Sequence, residues 1–333
     1  MECALQQKKI LVTGAGGFIG SHLVQSLVHA GAEVKALLHY NAQNGLGNLR
    51  WLDPGTLAAV NTVHGDLSDG EFMKRVVEGV DAVFHLGALI AIPHSYSAPR
   101  SYVETNVLGT LNVLEAVKAC ETPRLVHVST SEVYGSARYI PMDEAHPLQA
   151  QSPYAATKIG ADKLVESYVR SFGVRAVTVR PFNTFGPRQS ARAVIPAVIA
   201  QALSRPSVIQ LGTTTPVRDL TFVSDTVDGF ITAATAPDSV VGGCYNLGTG
   251  QGIAIGDLAR TILDLMGVSA RIEEDPRRLR PAASEVDRLV SNHQAFRAAT
   301  GWQPRVSLAE GLQRTIEFFQ AHPDELPRSG FAQ

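Results

Sequence analysis

Apolar residues recur along this chain in two patterns. Short runs rich in branched aliphatic residues occur at Lys9–Thr13, Glu33–Leu38, Val60–His64, Val80–Leu86, 124–130 and Val174–Arg180. Each reads as a strand. Between them the spacing turns helical. Ile19, Leu23 and Leu27 share one face of a helix that stops at Gly31. Val107, Leu108, Leu111, Val113, Leu114 and Val117 fill a wide arc of a helix over Asn106–Ala119, which predicts packing on the sheet and on something else besides. A further helix runs from about residue 153 to Phe172. Residues 41–56, rich in Asn and Gly and containing Pro54, predict a loop. Strands alternating with helices predict an α/β fold, a doubly wound parallel sheet with ligands at the carboxyl ends of its strands.

From Pro181 the pattern changes. Arg180-Pro181-Phe182-Asn183-Thr184-Phe185-Gly186-Pro187-Arg188 is rich in breakers, and a helix over 193–203, an apolar strand over 220–223 and a strand over Gly243–Gly248 follow. The expected division is a dinucleotide-binding domain over 1–186, with a returning segment near 223–250, and a smaller mixed α/β substrate lobe over 187–222 and 251–325. The last residues, about 324–333, read as frayed.

Composition removes some classes. The net charge is −2 without a basic run, which argues against nucleic acid as a partner. Cys3, Cys120 and Cys244 are scattered and odd in number, so neither a disulfide framework nor a metal site is expected, and the compartment is expected to be reducing. Met1–Lys9 is polar and leads straight into a strand, unlike a signal peptide. No apolar stretch is long enough for a bilayer. A cytoplasmic protein without membrane contact is expected.

Gly14-Ala15-Gly16-Gly17-Phe18-Ile19-Gly20 lies between the first strand and the first helix. In that context Gly14, Gly17 and Gly20 let a pyrophosphate approach the helix N-terminus, whose free amides, at Phe18 and Ile19, and dipole favour anions. The sheet is therefore expected to be Rossmann-like, with a dinucleotide bound. His39 ends the second strand where an acidic residue usually holds the ribose, and no nearby Lys or Arg is placed for a 2′-phosphate. NAD is the expected cofactor, with NADP left open. Asp66, followed by Leu67, either meets the adenine or caps a helix over 69–78. Leu86-Gly87-Ala88 permits close approach of the cofactor, whereas His85 reads as a packed core histidine.

The richest chemistry lies between Arg124 and Lys158. A buried strand, Leu125–Val128, runs into Ser129, Thr130, Ser131 and Glu132, and Tyr154 and Lys158 stand four apart on a helix. A lysine ammonium beside a tyrosine favours the phenolate, so Tyr154 is expected to have a lowered pKa and to act as a base for an alcohol. Arg188, Arg192, Arg218, Arg278 and Arg280 suit a diphosphate.

Taken together these motifs resemble the extended short-chain dehydrogenase/reductase family, and within it the nucleotide-sugar epimerases and dehydratases. The resemblance rests on Gly14-x-x-Gly17-x-x-Gly20, Tyr154-x-x-x-Lys158, Arg180-Pro-Phe-Asn183-x-x-Gly-Pro-Arg188 and Arg218-Asp219, and covers nearly the whole chain. Thr130-Ser131-Glu132 is similar to the dehydratase signature, with Ser131 where most sugar 4,6-dehydratases carry Asp; Thr-Ser-Glu also occurs in GDP-mannose dehydratases and UDP-glucuronate decarboxylases. The stretch from His85 to Tyr96, with Pro181 to Arg192, resembles the N-acetylglucosamine-nucleotide 4,6-dehydratases of legionaminic-acid-type pathways. The resemblance implies a UDP- or GDP-linked sugar as substrate, Tyr154, Lys158, Thr130, Ser131 and Glu132 as the catalytic set, Asn183, Arg192, Arg218 and Arg280 on the substrate, and a homodimer. Decarboxylation of UDP-glucuronate and 4-epimerisation are its enzymatic alternatives; a non-catalytic dinucleotide sensor would be expected to have lost the Tyr/Lys pair.

Overall fold

Strand β1, Lys9–Thr13, is buried at every position after the first, which is why its sequence is a continuous apolar run. The computed structural model describes residues 2–41, 43, 45–204, 206–278 and 281–326. Among them β1 sits inside a seven-stranded, wholly parallel sheet with β2 (Glu33–His39), β3 (Val60–Gly65), β4 (Ala82–His85), β5 (Leu125–Val128), β6 (Ala176–Pro181) and a returning strand, Cys244–Leu247. The order is β3-β2-β1-β4-β5-β6-returning strand. Chain direction across the sheet therefore reverses between β1 and β4, where a ligand crevice is expected. The fold is the expected Rossmann-like α/β fold.

Helix Phe18–His29 buries Gly20, Leu23, Val24 and Leu27 against the sheet. On the other face, helices Gly70–Val77 and Gly109–Ala119 pack with Leu11, Leu37, Val83 and Leu125. A smaller mixed sheet joins Asn183–Phe185, Val217–Phe222, Gly252–Ala254 and Arg288–Leu289. One apolar core runs from Ile10 and Val12 through Phe185 and Phe222 to Leu312 and Phe319. Among the described residues no helix is long and apolar enough to cross a membrane.

Three expectations are corrected. Residues 41–56 are not all loop: a 3-10 turn spans Gly47–Trp51, and Asp53 caps a short helix, Pro54–Ala58, by accepting the Thr56 amide at 3.0 Å. The helix expected over Asn106–Ala119 begins earlier, at Pro99, and passes through a π-helical segment, Val103–Leu108, before the α-helix at Gly109. At the C-terminus residues 323–325 form a 3-10 turn, with Glu325 paired to Arg50, and the frayed tail expected beyond 326 lies outside the described residues.

Candidate active site

The crevice begins at the glycine turn. Gly14 has φ +70°, and a Cβ there would lie 2.9 Å from the Gly87 nitrogen. A Cβ on Gly20 would lie 2.2 Å from the Gly14 carbonyl oxygen. The turn thus packs directly on Leu86–Gly87 at the end of β4, and only glycine fits. Gly17 is the N-cap of helix Phe18–His29 and brings no capping side chain, which leaves the first-turn amides at Phe18 and Ile19 for an anion. The segment read as loop covers the turn, with the Asn48 amide donating to the Gly16 carbonyl at 2.8 Å. Leu67 packs a methyl against Gly87, and Ala88 follows at the same edge. A dinucleotide fits this cradle.

At the ends of β2 and β3, His39 Nδ1 lies 3.5 Å from Asp66 Oδ2, both exposed. Asp66 accepts the Ser68 amide at 2.8 Å, which holds its carboxyl below the usual range. It is not the cap of the next helix. Asp69 takes that place, accepting the Phe72 amide at 2.9 Å, so Asp66 is left at the rim of the crevice. His85 is the core residue expected. Thr110 donates to the Asn106 carbonyl at 2.6 Å and meets His85 Nε2 at 3.0 Å, while Thr13 accepts the Gly87 amide and meets His85 Nδ1, each at 2.9 Å. One proton per hydroxyl then assigns the ring proton to Nε2. Burial, then the charges of His127 and Lys158, push its pKa well below normal.

The second half of the site is built at the end of β5. Thr130 caps a 3-10 turn, Ser131–Tyr134, accepting the Glu132 amide at 3.2 Å. Ser152 caps helix Pro153–Phe172, accepting the Ala155 amide at 3.1 Å, with Pro153 preset at its first position. That cap sets Tyr154 in the first turn and Lys158 in the next; they are 7% and 4% exposed. The Thr130 hydroxyl is close enough to the Tyr154 phenol to favour its phenolate, and the Glu132 carboxylate is close enough to act on that phenol by charge. Ser131 is buried at the foot of the turn. Thr130, Glu132, Tyr154 and Lys158 therefore converge at one strand end.

The expected lowering of the Tyr154 pKa is overturned. Burial dominates and drives it well above its ordinary value; Thr130 opposes this, while Glu132, Asp162 and Tyr102 reinforce it. The Lys158 ammonium is turned instead to the Val128 carbonyl, at 2.9 Å, and burial brings its own pKa to about 8.

The arginines part ways. Arg218 is buried on Val217–Phe222, 3.4 Å from Glu285. Its strand pairs with Asn183–Phe185, and Asn183 Oδ1 is buried there without a protein partner. Such an orphaned acceptor is what a ligand donor would meet. Asp219 points its carboxylate at the amides of Thr249, Gly250 and Ser291, at 2.9, 2.8 and 3.0 Å, and so ties the loops beside Arg218. Arg188 does not join a diphosphate clamp: its backbone is at φ +68° and it donates to Gln25 of the first helix at 2.8 Å. Arg278 donates to the Gln210 carbonyl at 2.6 Å. Arg192 is exposed ahead of helix Val194–Leu203, and Arg280 lies outside the described residues.

Two residues escaped the sequence reading. Asn106, buried in the π-helical segment, accepts the Leu89 amide at 2.8 Å and donates to the Leu89 carbonyl at 2.9 Å and to Thr157 at 3.0 Å. It thereby ties the chain after β4 to the Tyr154 helix. Tyr102 stacks edge-on against Tyr154, ring centres 6.3 Å apart. For Asn106 its position at the start of a helix with a wide apolar arc was the available signal, since a buried Asn there has to find partners; Tyr102 lies ahead of that expected helix, where no such signal existed.

Comparison with known proteins fits this geometry. The model of a family described as GDP-mannose 4,6 dehydratase matches residues 11–315. A dTDP-glucose 4,6-dehydratase of Streptomyces antibioticus is 33% identical over 326 residues, covering 93% of this chain and 92% of that protein. A UDP-glucose 4-epimerase of Mycolicibacterium smegmatis is 32% identical over 320 residues, covering 94% and 98%. Trifunctional Arabidopsis thaliana proteins that include a UDP-glucose 4,6-dehydratase are 30% identical, and the chain spans about half of their length, 48%. The structure of the Streptomyces venezuelae dTDP-glucose 4,6-dehydratase with NAD bound superposes with a TM-score of 0.85 at 30% identity, covering 96% of this chain and 98% of that one.

Proposed function

This chain belongs to the GDP-mannose 4,6 dehydratase family of nucleotide-sugar enzymes, and from that premise we propose that it converts UDP-N-acetylglucosamine, or the GDP form, to the 4-keto-6-deoxy sugar nucleotide. Its cofactor is NAD, as in the structural neighbours. The observation that carries the reading is the Glu132 carboxylate beside the Thr130–Tyr154 pair. A base for C5 next to the group that deprotonates the 4-hydroxyl suits elimination; a 4-epimerase has no use for it.

NAD, held by Gly14, Gly17 and Gly20 and the amides of Phe18 and Ile19, would supply reversible storage of the hydride that leaves C4 and ends on C6. Tyr154 removes the 4-hydroxyl proton, and Thr130 donates a hydrogen bond to the 4-oxygen. Because burial raises the pKa of the phenol, Tyr154 gives up its own proton to solvent before the cycle and takes the 4-hydroxyl proton as the phenolate. The new ketone acidifies C5, whose proton passes to Glu132. Ser131, in the place where the dehydratase signature most often has Asp, orients the 6-hydroxyl, and Glu132 hands its proton to that group as it leaves as water. The proton held by Tyr154 balances the one C5 regains. Asn183 and Arg218 hold the diphosphate, His39, Asp66 and Leu67 the adenosine end of the cofactor. In this reading residues 1–186 with the returning segment near 223–250 form the cofactor domain, and 187–222 with 251–325 the substrate lobe. Val103 and Leu108, exposed beside the Tyr154 helix, supply the face on which two chains pair; light scattering that finds a monomer at working concentration counts against that pairing.

Mass spectrometry of products after incubation with UDP-N-acetylglucosamine, GDP-N-acetylglucosamine and UDP-glucuronate tests the reaction. Loss of one water from an acetylglucosamine nucleotide, without net NADH, is expected. Loss of carbon dioxide from the glucuronate, or an isomer of unchanged mass seen by NMR, overturns it.

A further inference from the structure

Behind Lys158 lies a charged cluster that the proposed reaction leaves unused. His127, Asp162 and Arg180 are all nine-tenths or more buried. Asp162 follows Lys158 by one helical turn and so lies on the same face. Its Oδ1 accepts from His127 Nε2 at 3.2 Å, and its Oδ2 accepts from Arg180 Nε and Nη2 at 3.1 and 2.9 Å. Arg180 Nη1 also donates to the Tyr134 hydroxyl at 3.0 Å, and Tyr134 donates to Asn246 Oδ1 at 2.7 Å. The carboxylate is thus fixed from β5 and from β6, and β6 is braced in turn by the returning strand. Buried ion clusters of this kind are commonly no more stabilising than apolar packing. A cluster set one turn from an active-site lysine therefore calls for a reason other than stability.

We propose that Asp162, clamped by His127 and Arg180, is a positioning residue that keeps Lys158 protonated in the interior, with its ammonium on the Val128 carbonyl at the foot of the site. The proposal rests on the reading of Lys158 as part of that site. Lys158 shares its helical face with Tyr154 and Asp162, feels the Asp162 charge, and itself acts by charge on His127 of β5 and His85 of β4; Arg180 on β6 meets Asp162, and Glu132 and Tyr102 meet Tyr154. Both histidines are held below their ordinary pKa, chiefly by burial, and are neutral. Arg180 is a cation already engaged by Asp162. Asp162 is the anion that acts on Lys158, whereas Glu132 acts on Tyr154 and has to take up and release a proton in the proposed cycle. Asp162 does not: burial alone would raise its carboxyl, but the His127 hydrogen bond and the Arg180 charge bring it to about 2. Its charge on Lys158 is constant through turnover, and it opposes the burial that lowers the lysine.

A double-mutant cycle of Asp162→Asn and Lys158→Met, read by denaturant unfolding at pH 7 and pH 10, tests this without any substrate. The expected result is a favourable coupling at pH 7 that is lost at pH 10, where Lys158 is neutral in either background. Additive effects at both pH values overturn the proposal, and so does a coupling that is the same at both. Where the enzyme turns over, the high-pH limb of kcat/KM moves down by about one pH unit in Asp162→Asn, and Asp162→Glu restores most of it; a limb that stays in place while activity falls marks Asp162 as merely structural and overturns the assignment. Should Asp162→Asn not yield folded protein, Asp162→Ser, smaller and still able to hydrogen-bond His127, takes its place in the cycle. Failure of the sugar reaction leaves the cycle readable, so the two failures are distinct.

Discussion

At the β1 turn the groups that face the crevice are backbone: Gly14 packed against Leu86 and Gly87, Gly17 and Gly20 packed in turn on Gly14, and amides at the start of a helix. Across the crevice they are side chains, and several are already paired, Arg218 with Glu285, Arg188 with Gln25, Arg278 with the Gln210 carbonyl. The first arrangement is finished when the chain folds and has nothing to rearrange. In the second, a ligand that recruits Arg218 has to replace a protein partner, so binding there is an exchange. The difference predicts different failures: damage to the turn unfolds as well as unbinds, while damage to the side-chain half changes chemistry in a protein that still folds.

The largest effect expected is on the side-chain half. Glu132→Gln cuts turnover by about a thousandfold with little change in Tm, and single-turnover analysis finds C4 oxidised but no water lost. Ser131→Ala, by contrast, keeps turnover within about tenfold; a Ser131→Ala protein as inactive as Glu132→Gln would show that Glu132 does not shuttle the proton.

Next is the turn. Gly20→Ala puts a methyl 2.2 Å from the Gly14 oxygen, which is expected to cost about 3 kcal/mol of stability and to abolish NAD binding in a fluorescence titration. Retained stability with lost binding would break the comparison.

Lys158 joins both halves, and its effect is on stability and pH. Its folded pKa, about 8, lies below its ordinary 10.5, so between those values the unfolded chain holds more protons and stability rises with pH. Lys158→Met removes the buried charge and is expected to be more stable than the natural chain at pH 7, by up to about 3 kcal/mol. The gap narrows as pH climbs through that window, which denaturant titrations at pH 7, 9 and 10.5 would follow. A gap independent of pH would mean that Lys158 is not buried as a cation.

The smallest effect is at Arg188. Arg188→Ala loses its hydrogen bond to Gln25, for about 1 kcal/mol of stability, and leaves KM for the nucleotide sugar within about twofold, as thermal unfolding and steady-state kinetics would show. A tenfold rise in KM would return Arg188 to the substrate.

What could be read from the sequence followed the same divide. The glycine turn, β1, β5 and the capped Tyr154 helix were legible because local rules specify them: a continuous apolar run, a strand–turn–helix order, Ser152 before Pro153. The cover over the turn was not, since Gly47 and Asn48 acquire their place only by touching Gly16. The arginines were misread in part because their partners are remote in sequence; Gln25 and Arg188 are 163 residues apart. Tyr154 was misjudged for a different reason. The i,i+4 spacing does bring Lys158 to the same face, but spacing carries no information about burial, which dominates at Tyr154, nor about the Val128 carbonyl to which the ammonium turns. Nor does a π-helical segment alter composition, so Asn106 looked like the first residue of an ordinary helix.

That segment, Val103–Leu108, has a consequence for how the chain tolerates change in length. A π-turn holds one residue more than an α-turn, so deleting a single residue there would let the helix continue as plain α. Everything upstream would then keep its facing relative to Gly109–Ala119, because the extra residue is what the wider turn absorbs, whereas deleting a residue from the regular helix Gly109–Ala119 would rotate it by about 100°. Tyr102 would stay on the face that meets Tyr154 after the first deletion and swing away from it after the second. A helix that accepts most point substitutions on its outer face would thus act as a ratchet with one tooth: its setting is fixed by a count of residues rather than by their identity.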